Sequence, residues 1–251
     1  MKQRLSRREK RQIEHGDLEL CDVLKDKIFK VKTISPIGDN QTIAFEGWER
    51  GKNLLLTGTA GTGKSFIGAY LGLNTVFSKP DVYEDLTIVR SAVPTRDQGF
   101  QKGSAQEKAA VYEMPYNSIF HDMSDAPKAY DTLKQKGLVK FITTSFIRGI
   151  TLRNTVILID EIQNMNAGEL HSIITRVGKN TRVILCGDIR QNDLANNRQL
   201  SGFSDFVKVL NAMGSFTCVE FNRDDIVRSR FVKEYIIAKE NLEDLGEIAI
   251  L

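Results

Sequence analysis

Cysteine is scarce in this chain: Cys21, Cys186 and Cys218 lie far apart with no paired spacing. That excludes a disulfide framework and a zinc ribbon, and it fits a reducing compartment in which thiols act as small core fillers. Histidine is equally scarce, and the isolated His15, His121 and His171 form no metal-ligating pattern. No apolar run approaches the ~18 residues that a membrane span needs. The basic N-terminus lacks the apolar stretch of a secretory signal. The expected setting is therefore cytoplasmic, with no membrane partner. Charge of one sign is also lacking. The 35 basic and 32 acidic residues leave a net charge of +3, too balanced to imply nucleic-acid binding alone. With 41% hydrophobic residues the chain is not disordered.

A length of 251 residues gives room for one large domain or one domain with appendages. Residues 1–28 read as a basic, partly helical extension. Lys2, Arg4, Arg7, Arg8, Lys10 and Arg11 face only Glu9 among the first eleven residues. They form either a solvated terminus or a short arm that touches phosphates. Residues 29–251 read as one domain. Its first part, 29–45, carries strand and turn signals at Ser35-Pro36 and Gly38-Asp39-Asn40.

From residue 50 on, short apolar runs alternate with helical patterns. The runs are Asn53–Thr57, Leu86–Val89, Val139–Thr143, Val156–Ile159, Arg182–Cys186 and Phe216–Phe221. Continuous apolar runs of this length are strands covered on both faces. Between two of them, Leu170, Ile173, Ile174 and Val177 recur at helical spacing, and Asn166 with Glu169 forms a capping box. Strands alternating with helices give an α/β fold with a mainly parallel sheet and helices on both sides. Residues 94–138, rich in Pro and Gly, read as a helical excursion projecting from the sheet.

The strongest signal is Gly58-Thr59-Ala60-Gly61-Thr62-Gly63-Lys64-Ser65, which matches G-x-x-x-x-G-K-[ST] between an apolar strand and a helix. Such a loop curls its backbone N–H groups inward onto phosphate oxygens at the positive end of the helix. Lys64 is expected on the β- and γ-phosphates of ATP, and the Ser65 hydroxyl on Mg²⁺. A second strand, Val156–Ile159, ends in Asp160-Glu161. A buried apolar strand has no structural reason to end in two acids. Asp160 is expected to hold the Mg²⁺ shell, and Glu161 to polarise the attacking water. A third strand ends in Gly187-Asp188-Ile189-Arg190-Gln191, where Gln191 is placed to sense the γ-phosphate and Asp188 to support the metal water. Gln163 is a candidate for the same relay. Gln41, upstream of the loop, is a candidate reader of the adenine edge through its amide. Trp48, the only Trp, is expected in the core.

Together these residues resemble the PhoH family of P-loop ATPases, relatives of the nucleotide-binding half of superfamily 1 helicases. The resemblance runs from about Ile34 to Glu240. It includes Gln41 with Gly58–Ser65, Val89-Arg90-Ser91-Ala92-Val93-Pro94, Phe146-Ile147-Arg148-Gly149-Ile150-Thr151-Leu152, Asp160-Glu161-Ile162-Gln163-Asn164, Gly187–Gln191 and Asp225-Ile226-Val227-Arg228. Ser91 and Ser229 depart from the family's Pro and His, and the second departure puts any His-dependent role there in doubt. The resemblance implies a RecA-like three-layer αβα sandwich that hydrolyses ATP with Mg²⁺, coupled to RNA or single-stranded nucleic acid in a helicase-like manner. The family's name reflects a phosphate-starvation response, and short members occur in bacteria and phages. Some members add a ribonuclease or KH domain, for which 251 residues leave no room.

One phosphate loop and one Asp-Glu strand imply that an arginine finger comes from another subunit. The expectation is a head-to-tail homo-oligomer, a hexameric ring on the strength of the resemblance. Arg228 is the finger candidate, acting either in trans or on its own subunit. Arg90 and Arg148 are candidate nucleic-acid or subunit-interface contacts. Two other readings stand beside the motor: a nucleotide-gated interaction module with slow turnover, and a small-molecule kinase. The adjacent Asp160-Glu161 and the Gly187–Gln191 segment argue against the kinase.

Overall fold

The computed structural model describes residues 31–91, 105–124, 126–147, 149–188 and 201–248. The basic extension therefore lies outside the described residues. The elements in chain order are α1 (Asp39–Glu49), β1 (Asn53–Gly58), α2 (Lys64–Ser78), β2 (Asp85–Arg90), α3 (Ala105–Ser124), α4 (Ala129–Gln135), β3 (Val139–Thr143), β4 (Thr155–Ile159), α5 (Ala167–Ile174), β5 (Thr181–Cys186), α6 (Ser201–Ala212), β6 (Phe216–Phe221) and α7 (Arg230–Asp244).

The six strands form one sheet in the order β3-β2-β4-β5-β1-β6, with every neighbouring pair parallel. Burial explains why the apolar runs are so legible. The central strands β1 and β4 are buried at almost every position, whereas the edge strands β3 and β6 include exposed and half-buried residues. One apolar layer joins the sheet to α1, α2, α3 and α4. The other joins the opposite face to α5 and α6. This is a three-layer αβα sandwich. The Asn166–Glu169 capping box at the start of α5 is present, with Glu169 N–H donating to Asn166 Oδ1 at 2.9 Å and Asn166 N–H to Glu169 Oε2 at 2.9 Å.

Two expectations change. Residues 39–49 are helical, not strand and turn. Gly38 (φ 85°) is the residue before the helix, and Asp39 in the first turn complements the helix dipole, so the Gly-Asp-Asn cluster marks a helix start. The second concerns α3 and α4, which pack onto the sheet instead of projecting from it. Tyr116, Phe120 and Met123 of α3 and Leu133 of α4 are fully buried in the first apolar layer. Trp48 is buried as expected. Its Nε1 donates to Thr75 Oγ1 at 2.9 Å, and the Arg182 guanidinium lies 3.3 Å from its ring centroid.

Because all strands are parallel, their C-terminal ends share one edge of the sheet. Gly58, Arg90, Thr143, Ile159, Cys186 and Phe221 are neighbours there. The crevice at this edge is the place where open α/β sheets bind ligands. The tightest approach at the edge is Gly58 (φ 106°), where a Cβ would stand 2.0 Å from the Phe221 carbonyl oxygen. A Gly58→Ala variant is expected to lose at least about 2 kcal/mol of stability in urea unfolding, from the left-handed backbone and the clash together. An unchanged midpoint would mean that β1 and β6 separate freely at this end.

Candidate functional site

Residues 58–65 carry the chain from β1 into α2. Gly58, Gly61 and Gly63 all have positive φ, at 106°, 75° and 86°, which lets the backbone curl back over the helix start. The loop is tied at several points. Thr59 N–H donates to the Phe221 carbonyl at 3.0 Å, and Val227 N–H to the Gly61 carbonyl at 3.1 Å. Thr62 Oγ1 donates to the Thr59 carbonyl at 3.0 Å. Ala60 is half-buried in the same turn. Gln41 is buried beside the loop. Its Oε1 accepts from Ile37 N–H at 2.8 Å, and its Nε2 lies 3.5 Å from the Thr62 carbonyl. Both ends of this amide are thus engaged within the chain, and it fastens α1 to the loop.

Lys64 folds back into the loop. Its Nζ donates to the Gly58 carbonyl at 2.8 Å and the Thr59 carbonyl at 2.7 Å, with Thr62 Oγ1 at 3.4 Å. Burial lowers its pKa from the ordinary lysine value, and the nearby Asp188, Cys186, Glu161 and Asp160 pull the other way. The ammonium thus stands in the concavity where an anion would sit.

The carboxylates stand at the end of β4. Asp160, 4% exposed, accepts from Ser65 Oγ at 2.7 Å on Oδ1 and from the Tyr116 hydroxyl at 2.7 Å on Oδ2. Burial, followed by the charge of Asp160, holds the Tyr116 phenol well above its ordinary pKa, so it stays a donor. Sequence reasoning missed Tyr116. It lies in a segment of weak periodicity next to the helix-internal Pro115, and no motif marks it. Glu161 adopts a left-handed backbone (φ 55°, ψ 48°), a conformation that residues with a side chain seldom take and that is typical of strained functional positions. Gln163 Nε2 donates to Glu161 Oε2 at 2.5 Å, while Gln163 Oε1 accepts from Asp188 N–H at 3.0 Å. Gln163 thus joins the ends of β4 and β5.

The structure places both Arg90 and Arg228 against the site. Arg90 turns inward. Its Nη2 lies 3.5 Å from Glu161 Oε1, and its Nη1 donates to the Tyr112 carbonyl at 3.4 Å. A partly desolvated carboxylate draws it away from the outer surface where a nucleic-acid or subunit contact would need it. Arg228 is exposed, yet its stem lies over the loop of its own chain: a Cβ on Gly61 would stand 3.0 Å from Arg228 Cγ. Gln191 and Arg148 lie outside the described residues.

Ser65 and Asp160 together offer the oxygen donors that a hard divalent cation takes. No group of three or more His, Cys, Asp or Glu among the described residues could hold a metal on its own. A site with so few protein ligands suits Mg²⁺ shared with phosphates. A preformed glycine loop at a helix N-terminus, a lysine, a Ser–Asp pair and an adjacent glutamate are the parts of phosphoryl-transfer chemistry to water.

A family profile described as PhoH-like protein matches residues 33–240. The chain is 30% identical over 223 residues to Protein PhoH of Escherichia coli (strain K12), covering 86% of this chain and 61% of that protein. It is 29% identical over 218 residues to the PhoH-like protein of Mycobacterium leprae (strain TN), again covering 86% of this chain and 61% of the relative. The chain thus spans about three fifths of the length of these relatives. Among solved structures, a large terminase from a thermophilic bacteriophage superposes with a TM-score of 0.50 at 11% identity, over 80% of this chain and 50% of that one. That likeness concerns the fold alone.

The electrostatics of Glu161 give a test of the resting geometry. Burial, then the charge of Asp160, raise its pKa above the ordinary 4.5, outweighing Arg90, Gln163 and Lys64. The folded state therefore holds this proton more tightly, and the carboxylate costs stability progressively as pH rises from about 4.5 through the raised folded value. Without nucleotide, Glu161→Gln is expected to be more stable than wild type at pH 7, with the difference vanishing below about pH 4. Parallel thermal melts across pH check this. A variant less stable at pH 7 would mean that the Arg90 pair outweighs desolvation.

Proposed function

The chain belongs to the PhoH-like family, and from that premise we propose that it is a Mg²⁺-dependent ATPase whose turnover is coupled to RNA or single-stranded nucleic acid. The observation that carries the hydrolytic part is the contact between Ser65 Oγ and Asp160 Oδ1 at 2.7 Å, with Glu161 next in the chain and the Gly58–Ser65 loop wrapped on the helix start. Such a constellation is the working part of a phosphate-loop hydrolase.

In this reading ATP binds with its phosphates in the loop, held by backbone N–H groups from Ala60 through Gly63 and by the N-terminus of α2. Lys64 leaves the Gly58 and Thr59 carbonyls and binds β- and γ-phosphate oxygens. Ser65 and Asp160 would hold the Mg²⁺, which would supply charge neutralisation for phosphoryl transfer. Glu161 orients a water and takes its proton as the water attacks the γ-phosphorus, giving ADP and inorganic phosphate. Gln163 holds Glu161 by its second oxygen, and Gln191 is assigned to γ-phosphate sensing. Gln41 orients the loop, and it reads adenine if its amide releases Ile37.

The Arg228 stem over Gly61 supports a role on the γ-phosphate of its own subunit; a finger in trans rests on the single phosphate loop per chain, and a hexameric ring on the resemblance alone. The coupling to RNA or single-stranded DNA has the same support. The second reading, a nucleotide-gated module with slow turnover, is favoured by one feature: Lys64 is bound to the Gly58 and Thr59 carbonyls. Nucleotide binding must first break those two contacts.

The deciding measurement is phosphate release from ATP with and without single-stranded RNA. Wild type is expected to turn over and to accelerate with RNA. Glu161→Gln is expected to bind ATP while kcat falls about 10²-fold or more. Lys64→Ala is expected to lose nucleotide binding. Arg228→Ala is expected to keep ATP binding and lose at least about 10²-fold in kcat. Binding with negligible or RNA-independent turnover would move the protein to the gated-module reading.

A further inference from the structure

Asp160 is nearly sealed from solvent, and its two oxygens are claimed by different elements. Oδ1 belongs to Ser65 of α2, and Oδ2 to Tyr116 of α3. Tyr116 is fully buried, and its ring is fixed by neighbours: Tyr130 stacks on it at 6.2 Å and 26°, and Phe141 packs at 6.0 Å and 56°. A buried phenol packed between aromatic rings needs an acceptor for its O–H. The acceptor it finds is the carboxylate at the end of β4. One turn earlier on α3, the Tyr112 carbonyl accepts from Arg90, and Arg90 pairs with Glu161. Residues four apart share a helix face. One face of α3 therefore reaches both carboxylates, Asp160 directly and Glu161 through Arg90.

We propose that Tyr116 is a positioning residue for Asp160. Its hydroxyl pins Oδ2, so that Oδ1 stays turned to Ser65 and to the cation that enters with the nucleotide. The inserted helix α3 thereby sets the geometry of the Asp160–Glu161 pair. The inference rests on the ATPase reading above. Groups that orient a metal's carboxylate from behind typically matter by about 10–100-fold in metal affinity or activity. Here the group comes from outside the strand–loop–helix unit that carries the recognisable motifs.

The test replaces Tyr116 by Phe, which keeps the ring and removes the hydroxyl. Tyr130→Phe is the matched control. It strips a hydroxyl from the stacked partner ring, whose bond at 3.4 Å goes to Glu113 and not to the site. A fluorescent ATP analogue is titrated with Mg²⁺ and, separately, in EDTA, and kcat is measured at saturating Mg²⁺. Tyr116→Phe is expected to raise the Mg²⁺ concentration at half-maximal nucleotide binding by about tenfold and to lower kcat, leaving the affinity in EDTA unchanged. Tyr130→Phe is expected to match wild type. A wild-type Mg²⁺ midpoint in Tyr116→Phe overturns the inference. So do equal shifts in both variants, or a Tyr116→Phe protein that fails to fold while Tyr130→Phe folds, because each points to a packing role only. Failure of the ATPase reading itself is visible separately, as wild-type protein whose nucleotide binding is absent or indifferent to Mg²⁺.

Discussion

A carboxylate removed from water must find donors, and in this protein the search for donors by Asp160 organises the site. A carboxyl side chain at 4% exposure is tolerated only where hydrogen bonds replace its hydration. Asp160 obtains them from Ser65 on one side and Tyr116 on the other. Those two bonds join β4 to α2 and to α3, the helices that follow β1 and β2. The parallel sheet makes this possible: β4 and β1 end at the same edge with only β5 between them. Two strand spacings, about 10 Å, are what the start of α2 and the Ser65 side chain together span.

The remaining charges arrange themselves around that carboxylate. Lys64 and Glu161 both carry the penalty of burial, which lowers the first pKa and raises the second. Each is held by local partners: Lys64 by loop carbonyls, Glu161 by Gln163 and Arg90. Both buried charges are thus met within the chain. On the proposed ATPase reading, a triphosphate would offer Lys64 stronger, charge-assisted acceptors than carbonyl oxygens.

The sheet was legible because each central parallel strand carries an unbroken, buried apolar stretch, so sequence pattern and burial agree for β1, β4 and β5. The phosphate loop was legible because curling a backbone around an anion demands glycine at fixed places. Other parts were not. The start of α1 looked like a turn, since Gly38-Asp39-Asn40 serves helix initiation and turns equally well. Tyr116 left no signal, because its partner lies 44 residues away and contacts of that kind follow from tertiary packing, not spacing. Arg90 was placed outside by its position at a strand end. Its actual direction depends on a carboxylate from the neighbouring strand, a pairing that only the β2–β4 register reveals.

The segment after β6 bears on which arginine completes the site. Val227 N–H is bonded to the Gly61 carbonyl, Ile226 is buried, and the Arg228 stem rests on Gly61. These contacts fix residues 226–228 to the loop of the same chain. The Arg228 backbone is thus anchored within reach of phosphates bound in its own loop, whereas service to a second copy would require the guanidinium to extend away from that loop. The same hydrogen bond that satisfies the loop therefore delivers the arginine. The proposed role of Arg228 on the phosphates of its own chain rests on this anchoring.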